Sequence, residues 1–349
     1  MMDFLLWAWT MIQDRLQSVF SATSVYGPFA LGGALTFTVL FYVGARRGRG
    51  RRMSVAGFFK SIFPKRIVWH PSSRLDVRLW IVNTVVFASA YGMLAIGNLL
   101  WRDATVGAMG WAFGLHAPTV LPLWAILTIA TVLELLAYEF GYWVSHYLFH
   151  AIPALWEFHK VHHSAEVLTT LTEMRTHPVE IIAFMNVIGL CTGSVFGALT
   201  YLFGPGVHPF TLLNANVALM LFIVTIGHLR HSHMWIAFTG LAGRILQSPA
   251  HHQIHHSDQP RHFNKNLGFA LAVWDWLFGT LYVPEKYEKI TFGVGAEHVR
   301  FDTVLRSFVL PFSYSANHLV NWANGLKARA QKGGPAIAPP APNARTSEG

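Results

Sequence analysis

The sequence predicts an all-α, multi-pass membrane helical bundle of about four to five transmembrane helices, with a cytoplasmic cap of histidine-rich helices. Three observations lead there. The chain is 53% hydrophobic and only 12% charged, with a mean hydropathy of +0.37, whereas soluble domains carry about 25% charged residues. Long runs, 27–45 and 181–227 among them, contain no Asp, Glu, Lys or Arg. Of 19 histidines, 15 fall between residues 146 and 262, where an even scatter would put about 6.

The charge pattern sets the orientation. The formal net charge is +9, from 26 basic and 17 acidic residues. The basic residues cluster beside apolar runs, which marks them as topology signals facing anionic lipid and argues against nucleic acid as a partner. The single cysteine, Cys191, excludes an intrachain disulfide and a thiolate metal cluster. The N-terminus has no basic n-region and no clear small-residue cleavage site, so no removable signal peptide is expected.

Taken in order, residues 4–20 are apolar but interrupted by Asp14 and Arg15, and read as an interfacial helix. Residues 27–45 form the first expected span, anchored on the cytoplasmic side by Arg46, Arg47, Arg49, Arg51 and Arg52. Residues 53–78 mix aromatic and basic side chains and read as a segment on the membrane surface. Residues 79–101 are the second expected span, with Trp80 and Trp101 at its ends, and 102–119 the far loop. A third helix, 121–150, would be ~45 Å long against a hydrocarbon core of ~30 Å, so its last third should project into the cytoplasm. Gly204-Pro205-Gly206 and Pro209 divide the next run into spans at 179–203 and 210–227. Residues 267–283, with Asp275 among aromatic residues, suit a buried or membrane-resting helix. The expected units are an N-terminal anchoring region 1–78, a catalytic domain 79–290, a C-terminal extension 291–331 and a disordered tail 332–349.

This topology puts every histidine-rich stretch on the cytoplasmic side. Residues three or four apart share a helix face. His146 and His150 therefore make one bidentate face, His159, His162 and His163 a second, and His252, His255 and His256 a third. His228 and His231, at the end of the 210–227 run, add a fourth. Neutral imidazole is the commonest protein metal ligand. Buried unpartnered imidazoles would be costly, and protonated ones would repel one another. These ten histidines are therefore candidate ligands of a dinuclear metal site. His177, His233, His251 and His262 read as flanking groups, and His70, His116, His208, His298 and His318 as isolated core or surface residues. Glu139 lies two helical turns below His146 on the same face, where it would orient a ligand or line the substrate path.

The motifs Tyr142-Trp143-x-x-His146-x-x-x-His150, Trp156-x-x-His159-x-x-His162-His163-Ser164, Arg175-x-His177-Pro178-x-Glu180 and Ser248-Pro249-x-x-His252-x-x-His255-His256-Ser257 resemble those of the fatty acid hydroxylase/sterol desaturase superfamily. So do Pro260-Arg261-His262-x-x-Lys265-Asn266-x-Gly268 and Trp274-Asp275-x-x-Phe278-Gly279-Thr280. The resemblance covers roughly residues 120–285. Many relatives carry His-Ser-Asn or His-Ala-Asn where this chain has His231-Ser232-His233. The resemblance implies two iron ions, O₂ as co-substrate, and hydroxylation or desaturation of a lipid C–H bond. It also implies an external electron donor of ferredoxin or cytochrome type with its reductase. No flavin or nicotinamide fingerprint occurs in the chain, and Arg and Lys on the cytoplasmic face suit an acidic donor. Two other readings stay open: a zinc-dependent non-redox lipid enzyme on the same scaffold, and a metal transporter, although transporters place ligands near the bilayer midplane.

Overall fold

The computed structural model describes residues 27–87, 91, 93–115 and 117–331, with isolated positions 9, 10, 13, 17, 20, 21 and 24. The expected interfacial helix at 4–20, the tail at 332–349 and His116 therefore lie outside the described residues, wholly or in most positions.

The chain folds as a helical bundle with one two-residue-per-strand hairpin. Among the described residues, three helices are long and apolar enough to cross a membrane: α1 (Pro28–Gly48), α5 (Leu123–Ala151) and α7 (Pro178–Phe203). The shorter helices are α2 (Val55–Ile62), α3 (Pro71–Val82), α4 (Asn98–Phe113), α6 (Pro153–His163), α8 (Val217–Thr225), α9 (Pro249–His255) and α10 (Val273–Phe278). The 28-residue α11 (Val304–Gln331) closes the described chain.

Proline starts many of these helices, because its missing N–H is one that the first turn leaves unused anyway. At α7 the preceding His177 also caps: the Val179 N–H donates to His177 Nδ1 at 3.1 Å. At α9, Ser248 and His251 cap reciprocally. Gly204, at φ +92°, ends α7.

Two of the expected spans, 79–101 and 210–227, are not single long helices, for reasons hydropathy does not register. The 79–101 run does not form one helix. After α3 a π-helical turn, Asn83–Phe87, intervenes, and a break at Ala95–Gly97 precedes α4. Asn186 holds this break from α7, accepting from the Ile96 N–H at 2.7 Å and donating to Leu94 O at 3.3 Å. The expected far loop 102–119 is consequently helical as far as Phe113. The 210–227 run spends its first residues on the hairpin, where Thr211 pairs with Asn216 and Leu212 with Ala215. Leu213 and Asn214 both adopt positive φ in the turn, as tight hairpins require. Asn216 then caps α8 and donates to Thr131 O on α5. The nine residues left in α8 span ~14 Å, less than half of a ~30 Å hydrocarbon core.

Small residues set the packing of the long helices. A Cβ at Gly193 would fall 2.4 Å from Asn98 O, and one at Gly197 would fall 2.6 Å from Arg102 O. Together with Gly189 they form a smooth stripe on α7, against which α4 lies backbone to backbone. On the other side of α7, Gly141 of α5 approaches the Ile188 Cα in the same way. The tight α5–α7 pair carries His146 and His150 at the end of one helix and Glu180 at the start of the other.

Candidate metal centre

The 29-residue α5 ends in its second histidine turn, and Ile152 with Pro153 turns the chain directly into α6. This sharp connection folds His159, His162 and His163 back toward His146 and His150. Arg175 secures the end of α6: its Nε donates to Val161 O at 3.0 Å, its Nη2 to Ser164 Oγ at 2.9 Å, and its Nη1 to Asp76 of α3 at 2.9 Å. The third motif arrives on α9, and His231 follows the 3-10 turn Gly227–Leu229.

Nine of the ten candidate histidines converge, all of them buried. His146, His150, His159, His163 and His255 form one group, and His162, His231, His252 and His256 a second; within each group the candidate ligand atoms lie within 4.8 Å of one another. The two groups adjoin, with the His163 and His256 rings stacked at 4.6 Å. His228 is the tenth. It lies in the 3-10 turn and joins neither group.

The ring tautomers can be read from pure acceptors. His146 Nδ1 donates to Leu267 O at 2.8 Å, and His255 Nδ1 to Lys265 O at 2.9 Å. His159 Nδ1 faces Glu180 Oε1 at 2.8 Å, and His231 Nδ1 faces Glu173 Oε2 at 2.8 Å. A carbonyl or carboxylate oxygen cannot donate, so each Nδ1 carries the proton and each Nε2 presents a lone pair. Yet His146 Nε2 and His159 Nε2 are 3.0 Å apart, and His163 Nε2 lies 3.1 Å from His159 Nε2. In the second group His231 Nε2 stands 2.7, 3.1 and 3.2 Å from Nε2 of His252, His256 and His162. Lone pairs at this range repel unless a cation lies between them. Ligand nitrogens bound at ~2.1 Å to one ion in tetrahedral or octahedral geometry would be ~3.0–3.4 Å apart; four of these pairs fall at 3.0–3.2 Å, and His231–His252 is closer at 2.7 Å. The buried Nε2 atoms of His150 and His255 also have no hydrogen-bond partner. Burial first, and neighbouring imidazoles second, push His162, His163, His255 and His256 well below the usual histidine range, and burial, then the Arg230 guanidinium, does the same to His252. All five are therefore neutral and ligand-competent at pH 7. The donor set fits one metal ion in each group.

A buried loop orients this set. Asn264 and Asn266, at φ +57° and +58°, turn the chain so that the Lys265 and Leu267 carbonyls face the two histidine rings. Asp275 of α10 holds the loop by accepting from the Leu267 and Gly268 N–H groups at 2.8 Å each, from Thr280 Oγ1 at 2.6 Å and from Gln247 Nε2 at 2.7 Å. Glu139 works at the next turn, accepting from the Ala270 and Leu271 N–H groups at 3.0 Å. It touches no histidine, so the expectation that it orients a ligand directly is corrected: it acts through the loop that Asp275 also holds. Glu173 and Asn264 were not singled out from the sequence. The only available signal for either was proximity to a motif.

The remaining histidines have other partners. Burial holds His177 at about 4, so its Nδ1 stays free to cap α7 while its Nε2 donates to Phe308 O on α11 at 3.0 Å. His251 Nε2 donates to Gly243 O, and His233 Nε2 to Ser61 O on α2. His262 lies 3.4 Å from Glu288.

A cavity of about 570 Å³ opens beside the metal groups. His146, His159, Glu173 and Tyr142 line its near end, while Ile181, Ile188 and the broken segment at Ala95–Asn98 line the rest.

The comparisons with known proteins follow the same residues. Residues 131–280 match the family model described as fatty acid hydroxylase. The chain is 30% identical over 168 residues to the ornithine lipid hydroxylase OlsE of Rhizobium tropici, covering 48% of this chain and 46% of that protein. It is 28% identical over 163 residues to the alkylglycerol monooxygenase of Xenopus tropicalis, covering 46% and 32% respectively. It is also 28% identical over 149 residues to a cholesterol 25-hydroxylase-like protein of Danio rerio, covering 42% and 53%. The matched region thus spans about half the length of these curated relatives, or less. No solved structure matches the chain.

Proposed function

We propose that this chain, whose residues 131–280 match the fatty acid hydroxylase family model, is a membrane-bound di-iron oxygenase that hydroxylates a lipid C–H bond. The observation that carries this reading is the pair of buried histidine groups with opposed Nε2 lone pairs, set at the end of an elongated, mostly apolar cavity. In the reading, His146, His150, His159, His163 and His255 hold one iron and His162, His231, His252 and His256 the other. Bound there, the irons supply O₂ activation. One oxygen atom ends in the substrate hydroxyl and the other leaves as water, consuming two electrons and two protons. The electrons come from an external donor of ferredoxin or cytochrome type. The named activities of the relatives, all hydroxylases or monooxygenases, favour hydroxylation over desaturation. The histidines cluster at helix ends and beyond, not midway along the long helices, which favours a surface-level enzyme site over a transport path.

The cavity also argues for where on the lipid the reaction falls. Its carboxylates, Glu173 and Glu180, and Tyr142 stand at the histidine end, the lining along α7 from Ile181 to Gly189 is apolar, and Asn98 and Thr192 stand at the far end. From Glu180 to Thr192 the helix rises ~18 Å, room for much of an acyl or alkyl chain. An amphiphile seated this way has its tail in the apolar limb and its reacting carbon close to its polar head. On the membrane, α1, α5 and α7 cross as long helices, the chain crosses once more between Arg52 and α5 and once more between α7 and His231, and the histidine cap lies on the cytoplasmic side, where Arg46–Arg52 would be held.

The test is metal analysis joined to product analysis. Purified protein is expected to contain about two irons per chain. Comparative lipidomics of cells with and without the gene should show a hydroxyl added within a few carbons of a lipid's polar group. One zinc per chain with no iron would overturn the di-iron reading, and a hydroxyl at the chain terminus would overturn the seating.

A further inference from the structure

A second chamber, of about 580 Å³, lies where α1 ends, on the same side of the bundle as the histidine groups. Its upper wall is Arg46, Arg49 and Arg51; Phe41, Tyr42 and Trp235 are among the aromatic residues lower down. Among the described residues, no carboxylate lines it. The local sequence explains this bias: between Asp14 and Asp76 there is no acidic residue, while Arg46, Arg47, Arg49, Arg51, Arg52, Lys60, Lys65, Arg66 and Arg74 all fall in that interval. Among the described residues, none of the three lining arginines is ion-paired.

The walls are fixed. Tyr42 Oη donates to Ser54 O at 3.2 Å, tying α1 to the start of α2. His233 Nε2 donates to Ser61 O at 2.7 Å, tying the end of α2 to the segment that follows His231. Arg46 leans on the Tyr42 ring, its guanidinium carbon 5.6 Å from the centroid. Its Nε is buried and has no hydrogen-bond partner. A buried guanidinium N–H without an acceptor, in a chamber without a carboxylate, calls for an anion from outside the chain.

Depth says which anion. The 21 residues of α1 measure ~31 Å, about one hydrocarbon thickness, so Arg46, in the last turn, sits at headgroup level. Below it the chamber wall is apolar, and Leu35, Val39 and Leu40 are exposed on α1. We propose that this chamber binds the phosphate of an anionic phospholipid, with an acyl chain running down α1, as a site separate from the cavity beside the metal groups. Three arginines converging on phosphate at a helix end give strong charge-assisted contacts.

The test uses the full chain reconstituted in vesicles of phosphatidylcholine and phosphatidylglycerol in equal amounts, with retained lipid read by native mass spectrometry. The wild type should retain phosphatidylglycerol in preference to phosphatidylcholine. Arg46→Gln with Arg51→Gln should weaken that preference about 25-fold, at about fivefold for each arginine. Arg47→Gln removes the same charge one position away, outside the chamber, and should leave the preference intact. If the Arg46 variant fails to fold, the exposed pair Arg49→Gln and Arg51→Gln serves in its place with the same expected loss. Inorganic phosphate in millimolar excess should not displace the lipid. Equal retention of both lipids by the wild type, an equal loss in Arg47→Gln, or displacement by phosphate alone would each overturn the proposal.

Discussion

Replacing Asp275 by Asn changes one oxygen to an amide nitrogen in a buried cluster of donors. Oδ1 accepts from the Leu267 N–H at 2.8 Å and from Thr280 Oγ1 at 2.6 Å, and Oδ2 accepts from the Gly268 N–H at 2.8 Å and Gln247 Nε2 at 2.7 Å. Thr280 and Gln247 can reorient to meet an amide, but the two backbone N–H groups cannot. Whichever way the new amide points, one backbone donor is left buried and unpaired, at a cost of about 1–3 kcal/mol, and the charge-assisted character of the other bonds is lost. The expected destabilisation is on the order of 3 kcal/mol. The loop that loosens carries the Leu267 and Lys265 carbonyls, which orient His146 and His255. Loss of such outer support typically lowers metal affinity 10- to 100-fold. Unfolding in a mixed-micelle titration measures the first quantity, and metal retention against a chelator series measures the second. If the variant unfolds within about 0.5 kcal/mol of wild type, the level of an ordinary surface change, and holds metal as tightly, the role given to Asp275 is refuted.

Four further outcomes follow from the geometry. His162→Ala and His255→Ala should abolish lipid oxidation while gel filtration shows the fold retained; activity surviving in both would remove them from the ligand set. His228→Ala should keep the full metal content, because His228 joins neither group, and loss of a metal ion would restore it as a ligand. Metal-free protein should be stable at neutral pH and lose stability as pH falls below about 6.5. The five histidines with depressed values stay neutral when folded, whereas the unfolded chain takes up protons there, at up to about 1.4 kcal/mol per histidine per pH unit; a flat profile between pH 7 and 5 would contradict the burial argument. Thr192→Phe, at the far end of the cavity, should shift the preferred substrate to shorter chains without changing metal content, and an unchanged chain-length profile would place the tail elsewhere.

Much of this protein was legible in its sequence because the signals were local. Apolar runs marked α1, α5 and α7 to within about three residues, since helix length and apolarity are properties of contiguous sequence. Histidines three and four apart declared shared faces for the same reason, and nine of the ten candidates stand in the two groups.

What tertiary structure alone decided depends on groups far apart in the chain. The break at Ala95–Gly97 is stabilised by Asn186, and the 211–216 hairpin is anchored by Thr131, so two runs that hydropathy read as single helices are interrupted in the fold. His228 and His231 are both ligand candidates from their spacing, yet only His231 stands in a histidine group, its Nδ1 2.8 Å from Glu173. The division of nine histidines into groups of five and four was equally hidden. Motif spacing fixes which rings share a helix face, but the crossing of α5, α6 and α9 fixes which Nε2 lone pairs meet, and so how many metal ions the protein can hold.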